Sequence, residues 1–157
     1  MKLLTLVALC SALGSVSAAP ASDECLAKKW SKLTSCEEIR TDQDGRKIAF
    51  LQATCHGFHP EQKKWKKKSA GLDLNKCVMN VDGHLQPKQD GNLADNCTEM
   101  LVEKNDKEVV LSATCSGPLN NELDTVLSLG SFITVDNGDL TCFGFKGKDD
   151  PSYWEKD

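Results

Sequence analysis

Long apolar runs are scarce in this chain, and the one it has is too short to cross a bilayer. MKLLTLVALCSALGSVSA, residues 1–18, carries one lysine, an apolar run, and then Val16-Ser17-Ala18, with small residues at the positions a signal peptidase reads. A spanning helix needs about 20 apolar residues, and no stop-transfer charges follow this run. Residues 1–18 are therefore expected to be a secretory signal, and the mature chain of about 139 residues, starting near Ala19, to be secreted and extracellular. No membrane insertion is expected. Lipid attachment at Cys10 is not expected either, because Leu9 precedes it and it sits within the apolar run.

Excess positive charge is lacking as well. Nineteen Lys and Arg stand against 23 Asp and Glu, a net charge of −4 that becomes more negative once Lys2 is removed. Nucleic-acid binders are more often basic, so no nucleic-acid partner is expected. Histidine is rarer still, with three residues, His56, His59 and His84. His56 and His59 lie beside Cys55, which raises a zinc site or a cysteine nucleophile with a base. A structural zinc needs four well-placed ligands, and in an oxidising compartment Cys55 is better explained as half of a disulfide. No coherent catalytic motif is present, so the chain is expected not to be an enzyme and to need no cofactor or metal. Removing the signal leaves seven cysteines, an odd number that should mostly pair.

What the chain does have is an echo. AFLQATC at 49–55 returns as VVLSATC at 109–115, sixty positions later. Cys36 precedes Cys55 by nineteen residues and Cys97 precedes Cys115 by eighteen, which points to an internal duplication. LDLNKCVMNVDGHL (72–85) is matched by LSLGSFITVDNGDL (127–140). The dipeptides Asp82-Gly83 and Asn137-Gly138 within them are strong hairpin signals, because a type I′ turn needs positive φ at both central residues.

Strands are expected near 47–55, 77–81, 84–87, 108–115, 131–136 and 139–143, where apolar and polar residues alternate. SKLTSCEE and GNLADNC should form brief helical turns. The first unit carries about five extra residues in HPEQKKWKKKS, read as a polar loop with Trp65 among Lys63, Lys64, Lys66, Lys67 and Lys68. A basic patch for anionic surfaces is the sharper reading of that loop, and a solvated tip the one preferred. The tail from 144 to 157 is charged, interrupted by Pro151, and expected to be loose.

The ATC strand ends, LDLNxCVxNxDGxL, the GN-x-x-x-x-C opening of the second unit and the closing NGxL hairpin together resemble the cyanovirin-N homology domain. The resemblance spans about 30–143, with repeat one near 36–86, repeat two near 92–143, and residues 19–29 as an N-terminal extension. It implies a mainly β, elongated, two-repeat pseudosymmetric fold with short helical turns, in which the units exchange parts. It also implies the disulfides Cys36–Cys55 and Cys97–Cys115. Cys25, Cys77 and Cys142 are additions to the simplest family pattern. Cys25–Cys142 is the expected pair, leaving Cys77 free, with Cys77–Cys142 as the rival.

The family's members are lectins for mannose-rich oligosaccharides, which makes mannose-type glycans or glycoproteins the expected partners. Carried over residue by residue, the main site comprises Asn80, Asp82, Asn92, Asp95, Asn96 and Ser116. A second, less complete site comprises Thr34, Ser35, His56, Asp136 and Asn137, with Val135 where the family has an asparagine. The plainer reading of these residues is structural: Asn and Asp are favoured in tight turns and as helix caps. Asn96-Cys97-Thr98 is also an acceptor sequon for an N-linked glycan, which would sit on the main site. A monomer is expected, with a domain-swapped dimer as the alternative. The rival to a lectin is a secreted protein-interaction module, an effector or defence protein, on the same fold without sugar binding.

Overall fold

A computed structural model of the chain describes residues 31–44 and 48–147. The expected signal segment, the 19–29 extension, Cys25 and the tail beyond Gly147 lie outside those residues. The fold is built around two strands whose alternation the sequence displays. In β2 (Ile48–His59), Ala49, Leu51, Ala53 and Cys55 are buried, while Gln52, Thr54 and His56 between them are half-exposed. In β7 (Val109–Ser116) the buried set is Val109, Leu111, Ala113 and Cys115. A period of two with one face buried is what places these strands in the middle of a sheet.

Each is flanked by two antiparallel neighbours. β1 (Glu37–Asp44) and β3 (Lys64–Asp73) enclose β2, and β6 (Cys97–Lys104) and β8 (Glu122–Ser128) enclose β7. The outer strands β1 and β6 each carry a register shift, between Glu37 and Arg40 and between Thr98 and Leu101. At those bulges Glu38 (φ 49°) and Glu99 (φ 52°) adopt left-handed backbone. The bulge turns each carboxylate onto a central-strand threonine: Thr54 Oγ1 donates to Glu38 at 3.0 Å and Thr114 Oγ1 to Glu99 at 3.2 Å.

Two hairpins complete the repeats. β4 (Val78–Val81) and β5 (His84–Pro87) turn at Asp82-Gly83, with φ 51° and 89°. β9 (Thr134–Asp136) and β10 (Asp139–Cys142) turn at Asn137-Gly138, with φ 50° and 88°. Both turns have the positive pair of angles that the two dipeptides predict. A further short strand, β11 (Phe145–Lys146), folds back on β10, so the start of the tail is ordered rather than loose. Short 3-10 turns at Leu33–Ser35 and Leu93–Asp95 occupy the two segments read as helical. Residues Leu129–Ser131 form another, so β9 starts at Thr134 and not at 131.

The repeats exchange their hairpins. β5 packs on β8 of the other repeat, and β10 packs on β3. The approach is close because glycine meets glycine: a side chain on Gly83 would stand 3.2 Å from Gly117 Cα, and one on Gly138 3.1 Å from Gly57 Cα. One core results, drawn from both repeats, with Leu33, Leu51, Leu72, Leu74, Leu93, Leu111, Leu129, Ile133 and Leu140 fully buried. Burying each such side chain contributes about 1.5–3 kcal/mol, and neither repeat alone could bury its share.

Three disulfides are formed among the described residues. Cys36–Cys55 and Cys97–Cys115 each tie a strand pair within one repeat, as the resemblance implies. The third corrects an expectation. Cys142 pairs with Cys77, not with Cys25, so Cys77 is not free. Cys77 ends the 3-10 turn before β4 and Cys142 ends β10, and the hairpin exchange brings those two ends together. A second correction concerns HPEQKKWKKKS, which is not a loop. β2 and β3 continue their pairing through Gly57↔Lys66, Phe58↔Trp65 and His59↔Lys64, and only residues 60–63 turn. The edge-on contact of Phe58 with Trp65, centroids 5.9 Å apart, stabilises this arm.

Candidate functional site

At one end of the molecule the first hairpin is clasped to the end of β7. The Cys97–Cys115 bond holds Asn96 and Ser116 side by side, and Ser116 N–H donates to Asn96 O at 2.9 Å. Asn80 closes the clasp. Its Nδ2 donates to Ser116 O at 2.6 Å and its Oδ1 accepts Gly83 N–H at 2.8 Å. Asn92 bridges back to Met79, the neighbour of Asn80, and its carbonyl accepts Asp95 N–H at 3.1 Å. Asn80, Ser116, Asn96, Asp95 and Asn92 therefore form a closed circuit, with Asp82 at the hairpin tip beside it. Asp82, Asn92, Asp95, Asn96 and Ser116 are exposed. Asn80 is half-buried and its amide is largely committed to the clasp, so it positions the others.

This arrangement offers two carboxylates, two amides and a hydroxyl at one surface, groups that can bridge adjacent hydroxyls of a ligand by both accepting and donating. Left-handed backbone at Asp82 (φ 51°) and Asn92 (φ 52°) holds two of them outward. Asn92, although it precedes the 3-10 turn, makes no side-chain cap bond. Its capping role, one of the plainer readings, is therefore not the one it plays.

The opposite end is built from equivalent positions with different chemistry. The Cys36–Cys55 bond brings its neighbours Ser35 and His56 together, and Thr34 precedes Ser35 in the 3-10 turn Leu33–Ser35. Val135, where the other hairpin has Asn80, is buried at 5% exposure and offers no polar group. The clasp is made instead by Asn137, whose Oδ1 accepts Phe58 N–H at 2.6 Å. Repeat two could not do this, because Pro118 stands where Phe58 stands and has no N–H. Ser35 Oγ is turned back to Lys32 O at 2.6 Å, and Asp136 is 3.7 Å from Lys146 Nζ. Lys67 Nζ donates to Glu37 at 2.8 Å, and that hydrogen bond, with the lysine's charge, holds the Glu37 carboxyl below its ordinary range.

Sequence reasoning missed one buried pair at this end. Lys68, taken as part of a solvated loop, is 3% exposed and pairs with Asp139, which is 4% exposed and also meets Lys146 at 2.9 Å. The register of β2 and β3 sets Lys68 opposite Cys55, on the core-facing side. A signal was available: Leu123, opposite Cys115, holds the equivalent place in repeat two. Among the described residues no cluster of three or more His, Cys, Asp or Glu is placed to hold a metal, and no helix is long and apolar enough to cross a membrane.

The family model described as the CVNH domain matches residues 33–141. The chain belongs to the CVNH family. Solved structures share the fold. The CVNH protein of Gibberella zeae is 23% identical with a TM-score of 0.53, covering 69% of this chain and 93% of that one. NcCVNH of Neurospora crassa is 19% identical with a TM-score of 0.57, covering 69% and 94%. Microvirin, solved as a complex with mannobiose, is 24% identical with a TM-score of 0.51, covering 69% and 94%. Among curated protein sequences none matches the chain. At these identities the likeness carries the fold, and the CVNH exchange of hairpins between repeats is what brings each cluster together.

Proposed function

We propose that this CVNH protein is a secreted lectin that binds mannose-containing oligosaccharides, mainly through Asp82, Asn92, Asp95, Asn96 and Ser116 with Asn80 as the positioning residue. The observation that carries the reading is the circuit of hydrogen bonds and peptide links that runs from Asn80 through Ser116, Asn96 and Asp95 to Asn92 and closes through Met79. It gathers residues from both repeats and leaves their polar groups facing solvent. Microvirin's complex with mannobiose supports the ligand class. The second end, with Val135 in place of an amide, is the weaker site. Affinity per site is modest, because hydrogen bonds to a sugar mostly replace hydrogen bonds to water.

The test is an NMR titration of the chain, expressed without N-glycosylation, with α-linked mannose oligosaccharides, repeated with Asp82→Ala plus Asp95→Ala. Saturable shifts around Asp82 and Asn96 that vanish in the double variant are expected. Shifts confined to His56 and Asn137 would move the principal site to the other end, and no saturable shift anywhere would refute the lectin reading. A protein-interaction module is the second reading. It is favoured by Leu119, fully exposed at φ 62° three residues after Ser116, where an apolar finger suits a protein surface.

A further inference from the structure

A cavity of about 390 Å³ is lined by Lys76, Gln89, Asp90, Phe143, Gly144 and Phe145, none of them a member of either candidate cluster. It brings the end of the first repeat's 3-10 turn, the link between the repeats and the β10–β11 turn to one place. The Cys77–Cys142 bond fixes its two walls, since Lys76 precedes Cys77 and Phe143 follows Cys142. Its size falls within the range of small-ligand sites, about 300 to 1,000 Å³.

Phe143 is the unusual member. Three hairpin turns have the form X-Gly with positive φ at both positions, and in two of them X is Asp82 or Asn137, residues that tolerate left-handed backbone. In the third X is Phe143, at φ 47°, and a bulky residue is an outlier there. Turn chemistry therefore does not account for phenylalanine at this position. Burial does not account for it either, because the side chain remains 45% exposed. Phe132 stacks on it with centroids 6.0 Å apart and planes 17° from parallel, which stiffens the ring. The same cavity has polar lining, where Lys76 Nζ meets Asp90 at 2.9 Å and both groups are about half-exposed. The ammonium retains donors, the carboxylate retains lone pairs, and Gln89 adds an exposed amide.

We infer that this cavity is a third saccharide subsite, in which one pyranose ring lies with its C–H face on Phe143 and its hydroxyls toward Gln89, Asp90 and Lys76. An aromatic ring sharing one cavity with a set of mixed donors and acceptors matches a sugar ring, which has one apolar C–H face and a rim of hydroxyls. The ligand class rests on the lectin reading above. The site itself depends on Cys77 and Cys142, which the simplest family pattern lacks.

The experiment is a titration with methyl α-mannoside and with mannobiose, followed at the amides of Gln89, Asp90 and Gly144 and separately at Asp82 and Asn96. Saturable shifts at the first group are expected, with a dissociation constant on the order of 1–10 mM. Phe143→Asn suits the turn and removes the ring, so it should weaken binding there at least tenfold while leaving the shifts at Asp82 and Asn96 unchanged. Gln89→Ala, which leaves the turn untouched, should weaken the same group of shifts. Absence of saturation at Gln89, Asp90 and Gly144, or saturation that survives both variants, overturns the subsite. In either case shifts at Asp82 and Asn96 that persist keep the lectin reading standing.

Discussion

Lys68 is the residue at which sequence and structure part most clearly. Within KKWKKK it looks like one solvated lysine among several, yet strand pairing points it inward onto Asp139. A charge run hides its one buried member, because composition carries no information about which face a residue takes once a loop becomes a strand. Removing one partner of a buried pair leaves the other charge uncompensated, which costs about 3–5 kcal/mol. Lys146 still reaches Asp139 at 2.9 Å, so Lys68→Met should fall at the low end, about 3 kcal/mol by urea denaturation. Adding Asp139→Asn should recover most of that loss. A double variant no more stable than Lys68→Met would show that packing, not charge, sets the cost. Glu37 gives the pH dependence at the same end. Its folded-state carboxyl is held below the ordinary value by Lys67, so its contribution is present above the unfolded value and is lost as pH falls through the folded one. Carboxyl NMR should find Glu37 titrating below an ordinary glutamate, and Lys67→Gln should move it upward.

At the scale of elements, the central strands β2 and β7 were legible because both residue types alternate cleanly along them. The Asp82-Gly83 and Asn137-Gly138 hairpins were legible because their turns need particular residues. The outer strands were not. β1 reads EEIRTDQD, β3 starts KWKKK and β6 ends VEK, and charge at this density hides the apolar alternation by which a strand is read. The bulges at Glu38 and Glu99 also break the alternation that would have revealed β1 and β6. Of the candidate sites, residue identities could be carried over, but the clasp could not, since it depends on which hairpin lands on which strand. The arm offers a direct test. Ten residues lie between paired His56 and Lys67, whereas five lie between Ser116 and Glu122. Replacing Gly57–Lys66 with the sequence Gly117–Asn121 keeps the glycine that meets Gly138 and loses the Phe58 N–H that Asn137 accepts. Loop length changes stability by only about 0.6 kcal/mol per doubling and the lost bond by about 1 kcal/mol. The chimera should therefore unfold cooperatively, within about 2 kcal/mol of the parent. A chimera that unfolds in two steps would make the arm part of the core.

For the whole molecule, the decisive feature is that each half borrows its hairpin from the other repeat, so the same contacts can form within one chain or between two. Both arrangements bury the same core, and the link between β5 and β6 decides which is adopted. Cys77–Cys142 biases that choice. It joins the repeats covalently, and once closed within a chain it forbids the opening that an exchange between chains requires. With its cysteines 65 positions apart, the chain-entropy account gives it about 4 kcal/mol of stability, more than either disulfide within a repeat. The oxidised chain should therefore sediment as a monomer at every concentration. Cys77→Ser with Cys142→Ser should lose about 4 kcal/mol against urea and show a dimer fraction that rises with concentration and with brief refolding at high concentration. The interfaces within that dimer would be the native ones, so the double variant should keep the Asp82 and Asn96 shifts with mannobiose while losing those at Gly144, whose cavity wall the disulfide no longer fixes. A variant that stays monomeric at millimolar concentration would mean that the link alone, and not the disulfide, holds the halves in one chain.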